Sequence, residues 1–186
     1  MMVGMALDII ILSILRSGPV HGYELKRRAQ RPSLADLSNN SLYPYLRRFE
    51  DAGAVTHTLE AQQKRPPRKV YSITESGRRM LLELISTLPL ELAADDEEFL
   101  VRLSFFHEVA PANRRAILGA RTAVVDAAIA RVATLLDETA STGDQPTRAW
   151  RTAAMTEILN RLRAERGWID TLTEKADHDD VIPFSL

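Results

Sequence analysis

The sequence predicts a mainly α-helical protein with one small β-hairpin. Apolar residues recur at helical spacing over most of the 186 residues. Strand-forming residues are confined to two short runs, 55–57 and 70–74, and no strand signal follows Glu91. These observations predict an N-terminal domain of helices and a hairpin over 1–88, a helical domain over 89–176, and a flexible tail over 177–186.

The first predicted helix runs from Met5 to Arg16. Its apolar residues surround the helix almost completely, which is typical of a helix buried on several sides. A small domain covers such a helix with difficulty, so we expect a partner subunit to bury one face. Ser17-Gly18-Pro19 ends the helix, because Gly followed by Pro is a stop signal.

A short second helix is predicted from His21 to Ala29. Tyr23 in this helix has two open interpretations. The residue can be a core tyrosine whose hydroxyl bonds inside the protein. Its hydroxyl can instead donate to a nucleic-acid phosphate, which is what the resemblance of residues 21–25 to a known family implies.

The third helix is predicted to start at Asn40 or Ser41, either of which can cap it. Pro44 places the start there, because proline has no N–H and belongs in the first turn. Leu42, Leu46 and Phe49 form the stripe that faces the core, and Tyr43 and Arg47 point the other way. Gly53 suits a left-handed C-terminal cap.

A basic hairpin follows this helix directly, with the tip sequence Lys64-Arg65-Pro66-Pro67-Arg68-Lys69. A helix with an exposed polar face beside a cationic β-ribbon is the layout of a winged helix-turn-helix. The helix enters a DNA major groove, and the ribbon lies along the phosphates. The candidate DNA contacts are Tyr23, Asn40, Ser41, Tyr43 and Arg47 in the helices and Lys64, Arg65, Arg68 and Lys69 in the hairpin. The alternative is that the asparagine and serine only cap the helix and that the basic residues are solvated surface.

Helices are predicted for the rest of the chain. Thr74 caps one that ends near Pro89, and Asp95-Asp96-Glu97-Glu98 opens the next. Two long helices, about 111–140 and 146–176, carry narrow apolar seams. Such seams are typical of an antiparallel arm that dimerises, so a homodimer is the expected assembly.

Charge and composition narrow the function. Residues 1–85 carry a net charge of +5 and residues 86–186 a net charge of −6, so a polyanion partner is expected at the N-terminal half. The chain has no cysteine, and its four histidines show no metal-ligand spacing. Neither a catalytic motif nor a cofactor fingerprint is present, so no enzyme, metal or cofactor is expected. No apolar run reaches the roughly 18–20 residues of a membrane span, so a soluble cytoplasmic protein is expected.

Three motifs in order resemble the PadR family of bacterial transcriptional regulators. They are His21-Gly22-Tyr23-Glu24-Leu25, residues 41–53 and residues 68–77, and the helical C-terminal half is similar to the longer, phenolic-acid-regulator-type branch. The resemblance implies a homodimer on a palindromic operator of double-stranded DNA. It also implies repression that a small-molecule or cellular signal relieves. The Pro66-Pro67 tip departs from the family pattern.

An aromatic effector is the remaining expected partner. Phe99, Phe106, Trp150 and Trp168 are the candidates to bind it, and the alternative is that these residues only pack the arm and the dimer interface. The alternative to the regulator itself is a winged-helix module that binds proteins and not DNA. Such a module predicts no salt-dependent affinity for DNA.

Overall fold

The computed structural model describes residues 5–30, 39–62, 65–140 and 145–177. The chain forms two compact units. The first combines Met1–Thr87 with Asp96–Val109, and the second combines Leu88–Asp95 with Ala110–Leu186. Apart from Asp177, the predicted tail lies outside the described residues.

The mainly helical class with one small sheet is confirmed. The first unit contains α1 (Ala6–Arg16), β1 (Val20–His21), α2 (Gly22–Ala29), α3 (Asn39–Asp51), β2 (Val55–Gln62), β3 (Arg65–Ile73), α4 (Glu75–Ser86), α5 (Asp96–Leu103) and a 3₁₀ turn (Phe106–Glu108). The second contains a 3₁₀ turn (Leu90–Leu92), α6 (Pro111–Ala140) and α7 (Gln145–Lys175). No helix within these ranges combines the length and the apolar composition that a membrane span requires.

The sheet is antiparallel with the strand order β1-β3-β2. β2 and β3 form the hairpin, with Val55 opposite Ile73 at its base. β1 pairs with β3 through Val20 opposite Tyr71 and His21 opposite Val70. The sequence did not predict β1, because two residues are too few to show a strand period.

The helix α1 lies at the centre of the first unit. Ile9, Ile11 and Leu12 are fully buried. α2, α4, α5 and β3 all pack against α1. Elements of the same chain therefore cover much of this helix, and cover of one face by a partner subunit stays a prediction. The sequence placed α5 in the helical domain, whereas its contacts place it in the first unit.

The start of α4 is fixed by a tight junction with the base of the hairpin. As predicted, Thr74 caps the helix, its Oγ1 accepting the Gly77 N–H at 3.1 Å. Thr74 also donates from its backbone N–H to the Ala54 carbonyl at 3.0 Å. A glycine is needed three residues later, because a Cβ on Gly77 would lie 2.1 Å from the Ala54 oxygen. α4 ends at Ser86, three residues before the predicted Pro89.

In the second unit α6 and α7 pack side by side along their length. They run antiparallel, because Arg114 bonds the Ala176 carbonyl near one end and Arg121 bonds Glu165 further along. The bounds of α6 are those predicted from Pro111, and α7 begins one residue before the predicted Pro146. Arg121 is 5% exposed and donates from Nε to Glu165 at 2.7 Å and from Nη1 to the Ala93 carbonyl at 2.9 Å. The pair ties α6 to α7 and to the segment that precedes α5.

Candidate nucleic-acid interface

The helix α3 separates an apolar face from a polar one. Leu42, Leu46 and Phe49 are at most 2% exposed, as their spacing predicts. Tyr43 is 52% exposed and Arg47 is also exposed, so both project from the opposite face. Gly53 has φ +67°, the left-handed conformation of a C-terminal cap, and here glycine avoids the steric cost of a side chain.

The start of α3 differs from the sequence expectation. The helix begins at Asn39, so Asn40 and Ser41 lie inside it and not at the cap. Pro44 consequently lies in the second turn. The missing N–H of Pro44 removes one hydrogen bond to the carbonyl four residues earlier, a loss that the buried stripe of α3 offsets. The side chains of Asn40 and Ser41 lie outside the described residues, so their contact with DNA stays a prediction.

The hairpin is longer than predicted. Its strands extend to Gln62 and from Arg65, with a register irregularity between Glu60 and Gln62. Arg68 and Lys69 are exposed on β3. Lys64 and the side chain of Arg65 lie outside the described residues, and their roles stay predictions.

A groove of about 460 Å³ joins the elements that carry the predicted DNA contacts. Tyr23 at the start of α2, Tyr43 on α3, and Arg68 and Lys69 on β3 line it together. The approach is close, because a Cβ added to Gly22 would lie 3.5 Å from the Tyr43 hydroxyl and 3.5 Å from the Tyr71 ring. The structure thus brings four residues, predicted from three separate stretches of sequence, to one concave surface.

Positive charge on this surface is available to a ligand. Among the described residues, Arg47, Arg68 and Lys69 are exposed and form no ion pair with a carboxylate. A neighbouring groove of about 380 Å³ is lined by Arg47 and Lys69 with Tyr43, and also by the carboxylates Glu50 and Asp51. Two phenol hydroxyls and three cations on one face can bind successive phosphates of a nucleic-acid backbone.

Histidine–glutamate pairs lie beside the grooves. His57 Nδ1 on β2 bonds Glu50 on α3, and the His57 ring lies 5.9 Å from the Tyr71 ring. His21 Nε2 lies 3.3 Å from Glu60 on β2. Burial raises the pKa of the Tyr71 phenol to about 12. The His57–Glu50 pair links the last turn of α3 to the hairpin. No sequence motif predicts this contact.

Tyr23 is a surface residue. Its exposure of 79% excludes the core-tyrosine interpretation. Arg27, four residues later on α2, shares the helix face of Tyr23 and lines neither groove. Glu24 bonds both Arg27 and Arg28, and these hydrogen bonds lower the pKa of Glu24 to about 2.

The four aromatic residues predicted to bind an effector are placed separately. In the first unit Phe99 is 1% exposed and Phe106 is half-buried. In the second unit Trp150 and Trp168 lie on α7, 79% and 39% exposed. Eighteen residues of helix separate the two tryptophans by about 27 Å, so one protomer does not bring both to one small molecule. Binding of an effector by any of the four stays a prediction.

A comparison with protein-family models matches the residues that carry this surface. Residues 11–83 match the family model described as the transcriptional regulator PadR-like family. This part of the chain is similar to the PadR-like family of transcriptional regulators. The matched residues span most of α1 through most of α4 and therefore include both grooves.

Relatives from Bacillus subtilis resemble this PadR-like chain. The negative transcriptional regulator PadR of strain 168 is 28% identical over 98 residues, covering 51% of the chain and 53% of the relative. The match thus spans about half the length of that relative. A structure of Bacillus subtilis PadR with operator DNA is 20% identical, with a TM-score of 0.42 over 92% of this chain and 99% of that one. A structure of the same protein with p-coumaric acid is 19% identical, with a TM-score of 0.40 over 94% and 97% of the two chains.

Proposed function

We propose that this PadR-like regulator is a homodimeric repressor that binds an inverted-repeat DNA operator and is released by a small-molecule or cellular signal. In each protomer α3 enters the major groove, and the hairpin lies along the phosphates. One observation carries the proposal. Tyr23, Tyr43, Arg68 and Lys69, from α2, α3 and β3, line a single groove on one face of the first unit.

The roles within the groove follow from side-chain chemistry. Arg68 and Lys69 supply charge to phosphates, which fixes the protein on the duplex without reading its sequence. Tyr23 donates its hydroxyl to a phosphate. Tyr43 and Arg47 project from α3 toward base edges, where a guanidinium can bond a guanine in two places. Asn40 and Ser41, one turn earlier on α3, are proposed to reach the same groove.

A salt series tests the proposal. The protein is titrated by fluorescence anisotropy against a duplex from the region upstream of its own gene and against an unrelated duplex. The variant Arg68→Ala with Lys69→Ala should weaken binding to both duplexes alike. The slope of log K against log salt should flatten by about 1.8 per protomer, since each lost phosphate contact removes about 0.9.

The double variant Arg78→Ala with Arg79→Ala provides the matched control. Arg78 and Arg79 are exposed on α4, form no ion pair with a carboxylate among the described residues, and line neither groove. This control removes the same charge and should leave the slope unchanged. Equal flattening in both variants would show a general charge effect. Wild-type protein without salt-sensitive DNA binding, on its own upstream region and in a genome-wide selection, would favour the protein-interaction module instead.

The homodimer part of the proposal is motivated by apolar side chains on the second unit. Leu135 on α6 and Trp150, Ile158 and Trp168 on α7 are 39–79% exposed. Exposed apolar side chains in such number are typical of an interface. Sedimentation should give a dimer for wild type and a monomer for Ile158→Glu. Leu82→Glu, on α4 and similarly exposed at 51%, should stay dimeric.

The effector part is proposed for the exposed tryptophans. The chain has two tryptophans, Trp150 and Trp168, so intrinsic fluorescence reports on this surface alone. An aromatic acid such as p-coumaric acid should quench the emission and weaken DNA binding over the same concentration range. Two results would place the effector site away from α7. One is quenching that leaves DNA binding unchanged. The other is release from DNA with no quenching of either tryptophan, measured one at a time in the two single Trp→Phe variants.

A further inference from the structure

Asp8 is a carboxylate buried in the apolar helix α1. Its side chain is 10% exposed, and it accepts a hydrogen bond from the Arg48 guanidinium on α3. Arg48 Cζ lies 5.0 Å from the centre of the Tyr45 ring and 5.2 Å from the centre of the Phe49 ring. Arg48 is therefore held toward α1 by an ion pair and by ring contacts on its own helix.

The first turn of α1 is itself anchored. The Ala6 N–H donates to Glu98 Oε1 on α5 at 2.7 Å. Arg102 Nη1 donates to Glu98 Oε2 at 2.6 Å, and Arg102 Nε donates to the Thr87 carbonyl at 2.6 Å. A chain of bonds thus runs from α3 through α1 to α5. The partner of Arg48 is consequently fixed within the first unit and does not move as a flexible surface residue does.

The Asp8 carboxylate is costly to keep charged. Burial raises the pKa of Asp8 although Arg48 lowers it, and the nearby Glu98 raises it further. Favourable interaction with the dipole of α1 needs a carboxylate in the first turn but does not need its burial. The carboxylate therefore depends on the Arg48 guanidinium for compensation, and this pair joins α1 to α3.

We propose that Asp8 is a positioning residue for DNA recognition, because by holding Arg48 it sets the rotation of α3 about its own axis. Successive residues of a helix are about 100° apart around that axis. Fixing Arg48 toward α1 therefore fixes the direction of Arg47, and with it that of Tyr43. Arg48 itself makes no phosphate contact. This role rests on the DNA binding proposed above.

The test compares Asp8→Asn, Arg48→Gln and the double variant in anisotropy titrations over a salt series. Each single variant should bind the operator about 10-fold more weakly, the scale of one hydrogen bond to a charged group. The double variant should be no weaker than either single variant, since both break the same pair. The salt slope should stay at the wild-type value in all three, because no phosphate contact is lost.

Two control variants remove the effect of net charge. Glu83→Gln and Arg78→Gln change the charge of exposed positions on α4 by the same amounts as Asp8→Asn and Arg48→Gln. Both should bind as wild type. Far-UV circular dichroism and thermal unfolding establish that each variant is folded at the temperature of the titration. The Arg48 side chain is 51% exposed, so Arg48→Gln should fold even if Asp8→Asn does not. In that case the salt slope of Arg48→Gln, unchanged or flattened, decides between the positioning role and a phosphate contact.

Other results would overturn the positioning role. If Arg48 binds a phosphate, Arg48→Gln flattens the slope by about 0.9 per protomer and Asp8→Asn, which releases Arg48, binds more tightly. If Asp8 only stabilises the fold, Asp8→Asn lowers the melting temperature while the folded variant binds as wild type. Wild-type protein that binds no DNA in the same titrations would instead reject the proposed function, and the positioning role with it.

Discussion

Gly77→Ala should destabilise the protein more than any other glycine substitution among those described. An added Cβ would lie 2.1 Å from the Ala54 oxygen and 2.7 Å from Ile73 Cγ1. Carbon and oxygen in contact lie about 3.3 Å apart or more, so the first turn of α4 must move by about 1 Å. The obstacle is a backbone carbonyl, which cannot turn aside as a flexible side chain does.

The size of the effect follows from what such a shift breaks. The Gly77 N–H bonds the Thr74 side chain at 3.1 Å, and loss of this cap costs about 1 kcal/mol. The Thr74 N–H bonds the Ala54 carbonyl at 3.0 Å, and its loss costs about 1 kcal/mol more. Residual overpacking adds about 1–2 kcal/mol. The expected total is about 3–4 kcal/mol, or a fall in melting temperature of about 10 °C for a chain of this length.

Urea and thermal unfolding followed by far-UV circular dichroism measure the change. Gly167→Ala is the control, because its Cβ meets no atom within 4 Å and it lies inside α7. This variant should be more stable by about 0.5–1 kcal/mol. Gly53→Ala, with open space but φ +67°, should lose about 1 kcal/mol through backbone strain alone. A Gly77→Ala protein within about 0.5 kcal/mol of wild type would refute the steric reasoning.

Three further predictions concern charged and titrating groups. Tyr71 should ionise near pH 12 in an absorbance titration at the phenolate band. Because its pKa is raised in the folded protein, its contribution to stability is complete below about pH 10 and is lost as the pH rises through 12. Tyr71→Phe should abolish this loss of stability. The Arg16 guanidinium lowers the pKa of Glu108. Glu108→Gln should therefore have a lower urea midpoint than wild type at neutral pH. Below the pKa of Glu108 in the folded protein the two midpoints should be equal, because wild type has then lost the ion pair as well. Arg121→Met should cost about 2 kcal/mol or more in thermal unfolding, because it leaves the Glu165 carboxylate without its buried partner.

Local signals in the sequence were sufficient where a residue has one conformational role. Proline at a first helical position located the start of α6, Thr74 located a cap, and Gly53 located a left-handed residue. The start of α3 was predicted wrongly because Pro44 was assumed to lie in the first turn. In the structure Pro44 lies one turn later, where packing of the buried α3 stripe tolerates it. Intrinsic preferences therefore predict element ends well, except where burial outweighs them.

The candidate site was predictable in its parts but not in its pairing. Tyr43, Arg68 and Lys69 were predicted from the helix pattern and from charge, and Tyr23 from the family resemblance. Only the fold brings the four to one groove. The ion pair of Arg48 could not be predicted, because the partner of Arg48 lies 40 residues earlier in the chain. Contacts at such separation leave no periodic trace in a single sequence.

The same distinction governs how the charge of the N-terminal half should be interpreted. Its 13 lysines and arginines overstate the charge that DNA can meet, since carboxylates of the first unit hold arginines such as Arg16 and Arg48. The exposed Arg47, Arg68 and Lys69 account for a salt slope of about 2.7 per protomer if all three meet phosphates. Arginines held by carboxylates affect DNA affinity only through the geometry they impose, without a change in that slope. The salt slope therefore distinguishes two kinds of residue. Loss of a residue that contacts DNA phosphates flattens the slope, and loss of a positioning residue does not.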